Sequence, residues 1–134
     1  MICAKSKGAV GIMRILLVED DLQICEVTKK YFESKGAEIV AVNNGADALA
    51  VTEGGLEGYS LVLLDIMLPG ADGFAVCRSI RRRSDIPVIF LTGKDDAASV
   101  KSVLALKPAG YLLKSLPREK IVEEIDNFFN KNKI

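Results

Sequence analysis

The sequence predicts an α/β fold: a five-stranded parallel sheet between two layers of helices. Five short runs rich in Val, Ile and Leu are nearly continuously apolar: Arg14–Val18, Glu38–Val42, Ser60–Leu64, Pro87–Leu91 and Gly110–Leu113. A run without polar alternation marks a strand covered on both faces. The runs end at residues 18, 42, 64, 91 and 113, so 22 to 27 residues separate successive ends. That is the room a strand, a turn, a helix and a second turn require. Right-handed crossovers then place helices on both sides, giving a three-layer α/β/α sandwich.

Met13 heads the first strand, so residues 1–12 are expected to be a leader outside the core. The folded domain should span 13–131, with 132–134 a short tail. In the first helical segment Ile24, Val27, Thr28 and Tyr31 form one mostly apolar stripe at a 3.6-residue period. Asn43-Asn44-Gly45 and Gly54-Gly55 punctuate turns around the second helix. Asp72-Gly73 reads as turn and helix-start chemistry for the third, and Arg81-Arg82-Arg83 as cations that favour its C-terminal dipole and solvate its end. A fourth helical segment precedes the last strand. The final helix opens with Pro117 in its first turn and Glu119 nearby, and its apolar stripe is Ile121, Ile125, Phe128 and Phe129.

The 134 residues are 49% hydrophobic, enough for a core and for one domain rather than a disordered chain. Eighteen basic and eighteen acidic residues cancel, so the electrostatic footprint of general nucleic-acid binding is missing. There is no histidine, which excludes histidine acid–base chemistry, histidine metal ligation and Ser-His triads. Cys3, Cys25 and Cys77 are an odd, widely spaced set without a C-x-x-C. They read as reduced thiols of a cytoplasmic protein, Cys25 and Cys77 being small core or half-buried side chains. No apolar run approaches the length of a membrane span.

In parallel sheets of this kind, sites form beyond the carboxyl ends of the strands. The first strand delivers Glu19, Asp20 and Asp21 there, the third Asp65, the fourth Thr92 and Gly93, and the fifth Lys114. Four strands therefore converge charged or polar groups on one edge. Two carboxylates about 4 Å apart repel by on the order of 4 kcal/mol at an effective dielectric near 20. A hard divalent cation offsets this, and an oxygen-only donor set selects Mg²⁺ or Mn²⁺ over zinc. Asp21 reads as a helix N-terminal residue, whereas Asp65 can be both metal ligand and nucleophile, accepting a phosphoryl group as an aspartyl-phosphate.

Ile15-Leu16-Leu17-Val18-Glu19-Asp20-Asp21, Leu64-Asp65-Ile66-Met67-Leu68-Pro69-Gly70-Ala71-Asp72-Gly73, Pro87-Val88-Ile89-Phe90-Leu91-Thr92-Gly93 and Gly110-Tyr111-Leu112-Leu113-Lys114 together resemble the response-regulator receiver domain (CheY-like) of two-component signal transduction. The resemblance covers residues 13 to about 131. It implies a flavodoxin-like sheet of order 2-1-3-4-5. It also implies that Asp65 accepts phosphate from a sensor histidine kinase or phosphotransfer protein, with Glu19, Asp20, Asp65 and the Met67 backbone carbonyl holding Mg²⁺ (or Mn²⁺). Thr92 and Lys114 would bind phosphoryl oxygens, and Thr92 with Tyr111 would be the switch pair. Met67 and Lys94 would tune the phosphoryl lifetime. The surface of the fourth helix, fifth strand and last helix would address an output protein or a separate effector domain.

On this reading the protein is a cytoplasmic signalling switch rather than an enzyme, a monomer or weak homodimer that touches neither nucleic acid nor membrane directly. It is either a free-standing regulator or an excised receiver. Two departures from the family pattern stand out. Ser115 follows Lys114 where proline is common, leaving that peptide bond either trans or strained, and Leu116 precedes Pro117 where a capping residue is often found. Three other readings compete. One is a degenerate receiver that acts as an interaction module without phosphate. A second is a metal-dependent aspartyl-phosphate phosphatase, although Met67 stands where that chemistry wants a second Asp. The third is a flavin-binding module, whose phosphate Glu19-Asp20-Asp21 would repel.

Overall fold

The computed structural model describes residues 13–68, 70, 72–93, 101 and 104–132, with residues 131 and 132 by backbone alone. The expected leader 1–12, Lys94 and most of the expected fourth helical segment lie outside the described residues. Five parallel strands, β1 (Arg14–Val18), β2 (Glu38–Val42), β3 (Leu61–Asp65), β4 (Val88–Thr92) and β5 (Gly110–Leu113), form one sheet. Its order is β2-β1-β3-β4-β5, the order the resemblance implied. Helices α1 (Leu22–Glu33), α2 (Gly45–Glu53) and α3 (Gly73–Arg81) and a C-terminal helix (Arg118–Asn132) cover it.

The two faces of the sheet carry separate cores because successive strand residues point to opposite sides. Leu16, Val18, Val62, Leu64, Val88 and Phe90 pack with Ala48 of α2 and with Val76, Cys77 and Ile80 of α3. Ile15, Leu17, Leu61, Leu63, Ile89 and Leu91 pack with Ile24 and Phe32 of α1 and with Ile121, Val122 and Ile125 of the C-terminal helix. Each of these Val, Leu, Ile and Phe side chains contributes about 1.5–3 kcal/mol on burial.

Three details differ from the sequence reading. β3 and β4 each start and end one residue later than expected, so Asp65 and Thr92 are the last strand residues rather than the first loop residues. The backbone ladder is indifferent to side-chain polarity: Asp65 pairs with Leu91, and the Ile66 amide still donates to the Leu91 carbonyl at 3.1 Å. β2 and β5 are continuous in sequence but only partly buried, because they are the sheet edges. In α1 the buried residues are Ile24, Thr28 and Phe32, with Val27 and Tyr31 at the margin. Tyr31 keeps its hydroxyl at the rim, donating to Asp126 at 3.0 Å, and Phe32 takes the core position.

Local signals behaved as expected at the helix starts. Asp21, Asn44 and Asp72 cap α1, α2 and α3, each accepting backbone amides two or three residues ahead. Pro117 stands just before the C-terminal helix, its carbonyl accepting from Lys120 and Ile121. The arginine run is not all solvated. The Arg81 guanidinium donates to the carbonyls of Ser84, Ile86, Leu106 and Lys107, the shortest at 2.7 Å to Ile86. It thereby ties the end of α3 to the turns before β4 and β5, where Lys107 adopts a left-handed φ of 53°.

Candidate functional site

The carboxyl ends of β1, β3, β4 and β5 lie along one edge of the sheet. Glu19, one residue past β1, is still in register, its amide donating to the Val42 carbonyl at 3.0 Å. Its side chain is wholly buried, at 0% exposure. Asp65 ends the central strand at 1% exposure, whereas Asp20 is exposed. Carboxylate oxygens of Glu19, Asp20 and Asp65 all lie within 4.8 Å of one another.

Lys114 reaches across from the end of β5 into this cluster. Its ammonium is 2.8 Å from Glu19 Oε2 and 3.1 Å from Asp65 Oδ2. The Lys114 amide donates to the Thr92 carbonyl at 2.7 Å, so the β4–β5 ladder itself places the base of this side chain. Asp65 Oδ1 accepts the Met67 amide at 3.0 Å, and Glu19 Oε2 accepts the Asp21 amide at 2.9 Å. The other Glu19 oxygen, Oε1, is buried with no hydrogen-bond partner among the described residues.

One ammonium between two buried carboxylates, Glu19 and Asp65, leaves an excess of negative charge out of water, and the titration behaviour follows. Burial pushes Glu19 up to about 7 against the opposing pull of Lys114 and the Asp21 amide. Burial also raises Asp65, again against the Met67 amide and Lys114. Desolvation pulls Lys114 down, but its bonds to Glu19 and Asp65 outweigh that and leave it raised. Two carboxyls raised by burial and an orphaned buried oxygen fit a hard divalent cation. Glu19, Asp20 and Asp65 are the side chains that could hold one.

The remaining expected residues sort by position. Thr92 is buried at the end of β4, beside the β3 terminus. Met67 has an exposed side chain, and its backbone lies against Asp65. Tyr111 is 40% exposed on the edge strand, so it is not packed inward. The Lys114–Ser115 peptide is trans, there being no cis bond among the described residues. Cys25 and Cys77 are free thiols, half-buried and buried. Burial raises Cys25 to about 11 and raises Cys77 as well, so neither is a reactive thiolate.

The supporting roles of two residues escaped the sequence reading. A Cβ at Gly73 would lie 2.3 Å from the Asp65 carbonyl oxygen and 2.7 Å from the Ile66 Cα, so only glycine lets α3 abut the end of β3. Arg118, whose sole sequence signal is a cation in the first turn of a helix, bonds to both the Lys114 carbonyl and the Asp21 carboxylate.

Residues 15–126 match the family model described as the response regulator receiver domain. The chain belongs to that family. The receiver is 37% identical over 111 residues to the transcriptional regulatory protein ResD of Bacillus subtilis, covering 81% of this chain and 45% of that one. It is 33% identical over 120 residues to the DNA-binding response regulator MtrA of Mycobacterium leprae, covering 89% and 52%. The chain spans about half the length of these curated relatives. Among solved structures it is similar to a CheY-like receiver domain protein from Methanospirillum hungatei, with a TM-score of 0.77 and 25% identity over 90% of this chain and 96% of that one. It is also similar to the BeF3-activated receiver domain of Klebsiella pneumoniae RstA, with a TM-score of 0.71 and 31% identity over 86% and 97%. Among the described residues, no helix of the receiver is long and apolar enough to cross a membrane.

Proposed function

We propose that this receiver takes a phosphoryl group onto Asp65 in a Mg²⁺-dependent reaction and so switches its binding to a partner protein. The observation that carries the reading is the setting of Asp65: a buried carboxylate at the tip of the central strand, 3.1 Å from the Lys114 ammonium and in reach of Glu19 and Asp20. A carboxylate oxygen of Asp65 forms the new O–P bond as the P–N bond of a phosphohistidine donor breaks, and its electron pair returns to the imidazole. Glu19, Asp20, Asp65 and the Met67 backbone carbonyl would hold Mg²⁺ (Mn²⁺ would also suit the donors), which supplies charge neutralisation for the phosphoryl oxygens. Lys114 supplies a second positive charge already in place, and the Thr92 hydroxyl donates to a further phosphoryl oxygen.

The phosphoryl group adds charge at the end of β3 and biases a two-state element that includes Thr92 and Tyr111. Tyr111, exposed on the edge strand, would then be in the outward position of that element. The donor would be a sensor histidine kinase or phosphotransfer protein, and the reader an output protein or effector domain on the side of β5 and the C-terminal helix. The compartment would be the cytoplasm, and the chain would serve as a switch rather than an enzyme with turnover of its own.

Intact-mass measurement after incubation with acetyl phosphate and Mg²⁺ tests the proposal. A gain of one phosphoryl group that chelation of the metal abolishes, and that Asp65→Asn lacks, is the expected result. An unmodified wild type would leave the receiver as a phosphate-independent interaction module and overturn the proposal.

A further inference from the structure

Arg118 opens the C-terminal helix, where a cation opposes the positive end of the helix dipole. Its Nε is buried with no hydrogen-bond partner among the described residues, a second unfavourable feature. Two contacts offset these. Nη1 donates to the Lys114 carbonyl at 3.2 Å, and Nη2 lies 3.5 Å from Asp21 Oδ2.

Each of those partners belongs to a loop that forms the site. Asp21 caps α1 through its other oxygen, Oδ1, and its amide binds Glu19 Oε2. Lys114 sends its ammonium back to the same Glu19 oxygen at 2.8 Å. The β1–α1 loop and the turn after β5 are thus joined twice, inside by Lys114 and Glu19 and outside by Arg118. The turn that Arg118 holds contains Ser115, which keeps the φ freedom that a proline ring would remove. The β4–β5 ladder fixes the Lys114 amide but not its carbonyl, so a turn free to tilt beyond that amide would still swing the ammonium away from Asp65. A planar guanidinium with fixed donors suits the task of fixing a carbonyl and a carboxylate at once.

We infer that Arg118 is a positioning residue: bound to the Lys114 carbonyl and the Asp21 carboxylate, it holds the Lys114 ammonium over Asp65 and Glu19. Its consequence for phosphoryl uptake rests on the function proposed above; its effect on Lys114 does not.

The test uses the full chain without metal, ¹⁵N-labelled, with the Lys114 side-chain ammonium resonance assigned by its loss in Lys114→Met. Arg118→Ala should keep a cooperative unfolding transition yet broaden or lose that resonance, which a merely structural contact would leave unmoved. With Mg²⁺ and acetyl phosphate, its phosphoryl uptake should slow by about ten- to a hundredfold, the scale of a misplacement of about 1 Å. Arg118→Lys should recover part of both signals. Asp21→Asn keeps the helix cap but removes the ion pair, and should lose part of both.

An unchanged ammonium resonance in folded Arg118→Ala overturns the inference. Should that variant not fold, unchanged resonances in both Arg118→Lys and Asp21→Asn overturn it instead. A wild type that takes up no phosphoryl group refutes the proposed function, while the ammonium resonance still decides the role of Arg118.

Discussion

Glu19→Gln should destabilise the metal-free protein at pH 5 and stabilise it at pH 8. Burial raises Glu19 from 4.5 to about 7, so the folded protein holds this proton more tightly than the unfolded chain does. Stability therefore falls as pH rises from about 4.5 towards 7 and levels off above it. At about 1.4 kcal/mol per pKa unit, the ionised side chain costs on the order of 3 kcal/mol at pH 8 and under about 1 kcal/mol at pH 5. Gln removes that pH-dependent cost. With its oxygen kept on Lys114 and the Asp21 amide, Gln places an NH2 group where Glu19 Oε1 has no partner among the described residues, and its unmet donors add a pH-independent penalty of about 1–3 kcal/mol.

The variant's stability relative to wild type should thus shift by about 2–3 kcal/mol between the two pH values, crossing zero at about pH 6. Urea unfolding at several pH values, with chelator present, measures it. Adding Mg²⁺ at pH 8 should stabilise wild type far more than the variant, because the cation binds the ionised form of Glu19. A difference between wild type and variant that stays constant from pH 5 to pH 8 would refute the reasoning, since Glu19 would then not be the group that carries the strain.

Two further substitutions probe the supports of the site and of the sheet. Gly73→Ala forces a methyl into the Asp65 carbonyl and the Ile66 Cα, and should cost about 3 kcal/mol or more in urea unfolding; a cost below about 1 kcal/mol would show that α3 can retreat from β3. Arg81→Met removes the donor shared by four carbonyls, and should cost about 2–4 kcal/mol; hydrogen exchange should speed at the amides around Ile86 and Lys107 and stay unchanged in β1.

The strands and helix caps were legible because their signals are local. An unbroken Val, Ile and Leu run has few ways to avoid burial, and Asp21, Asn44 and Asp72 cap helices through amides two or three residues away. Asp65, Thr92 and Lys114 were legible as a set because each follows an apolar run, and a parallel sheet brings all such ends to one edge. The reading stopped β3 and β4 too early for the same reason: it followed side-chain polarity, whereas the ladder that carries Asp65 and Thr92 is made by the backbone. Arg81 and Arg118 were illegible as clamps. A carbonyl has no signature in sequence, and the partners of Arg81 lie up to 26 residues away.

The sequence by itself determined the α/β architecture, the strand-end location of the acidic and lysine residues, and through its motifs the receiver family. These depend on periodicity and order along the chain, which burial of apolar surface converts directly into layers. Only the tertiary structure decided that Glu19 rather than Asp20 is the buried acid against Lys114, that Gly73 is needed for close approach to β3, and that Arg118 bridges two loops far apart in the chain. Depth of burial, clearance to a neighbouring backbone and the reach of a guanidinium are distances between segments, and they exist only once the sheet and its helices have come together.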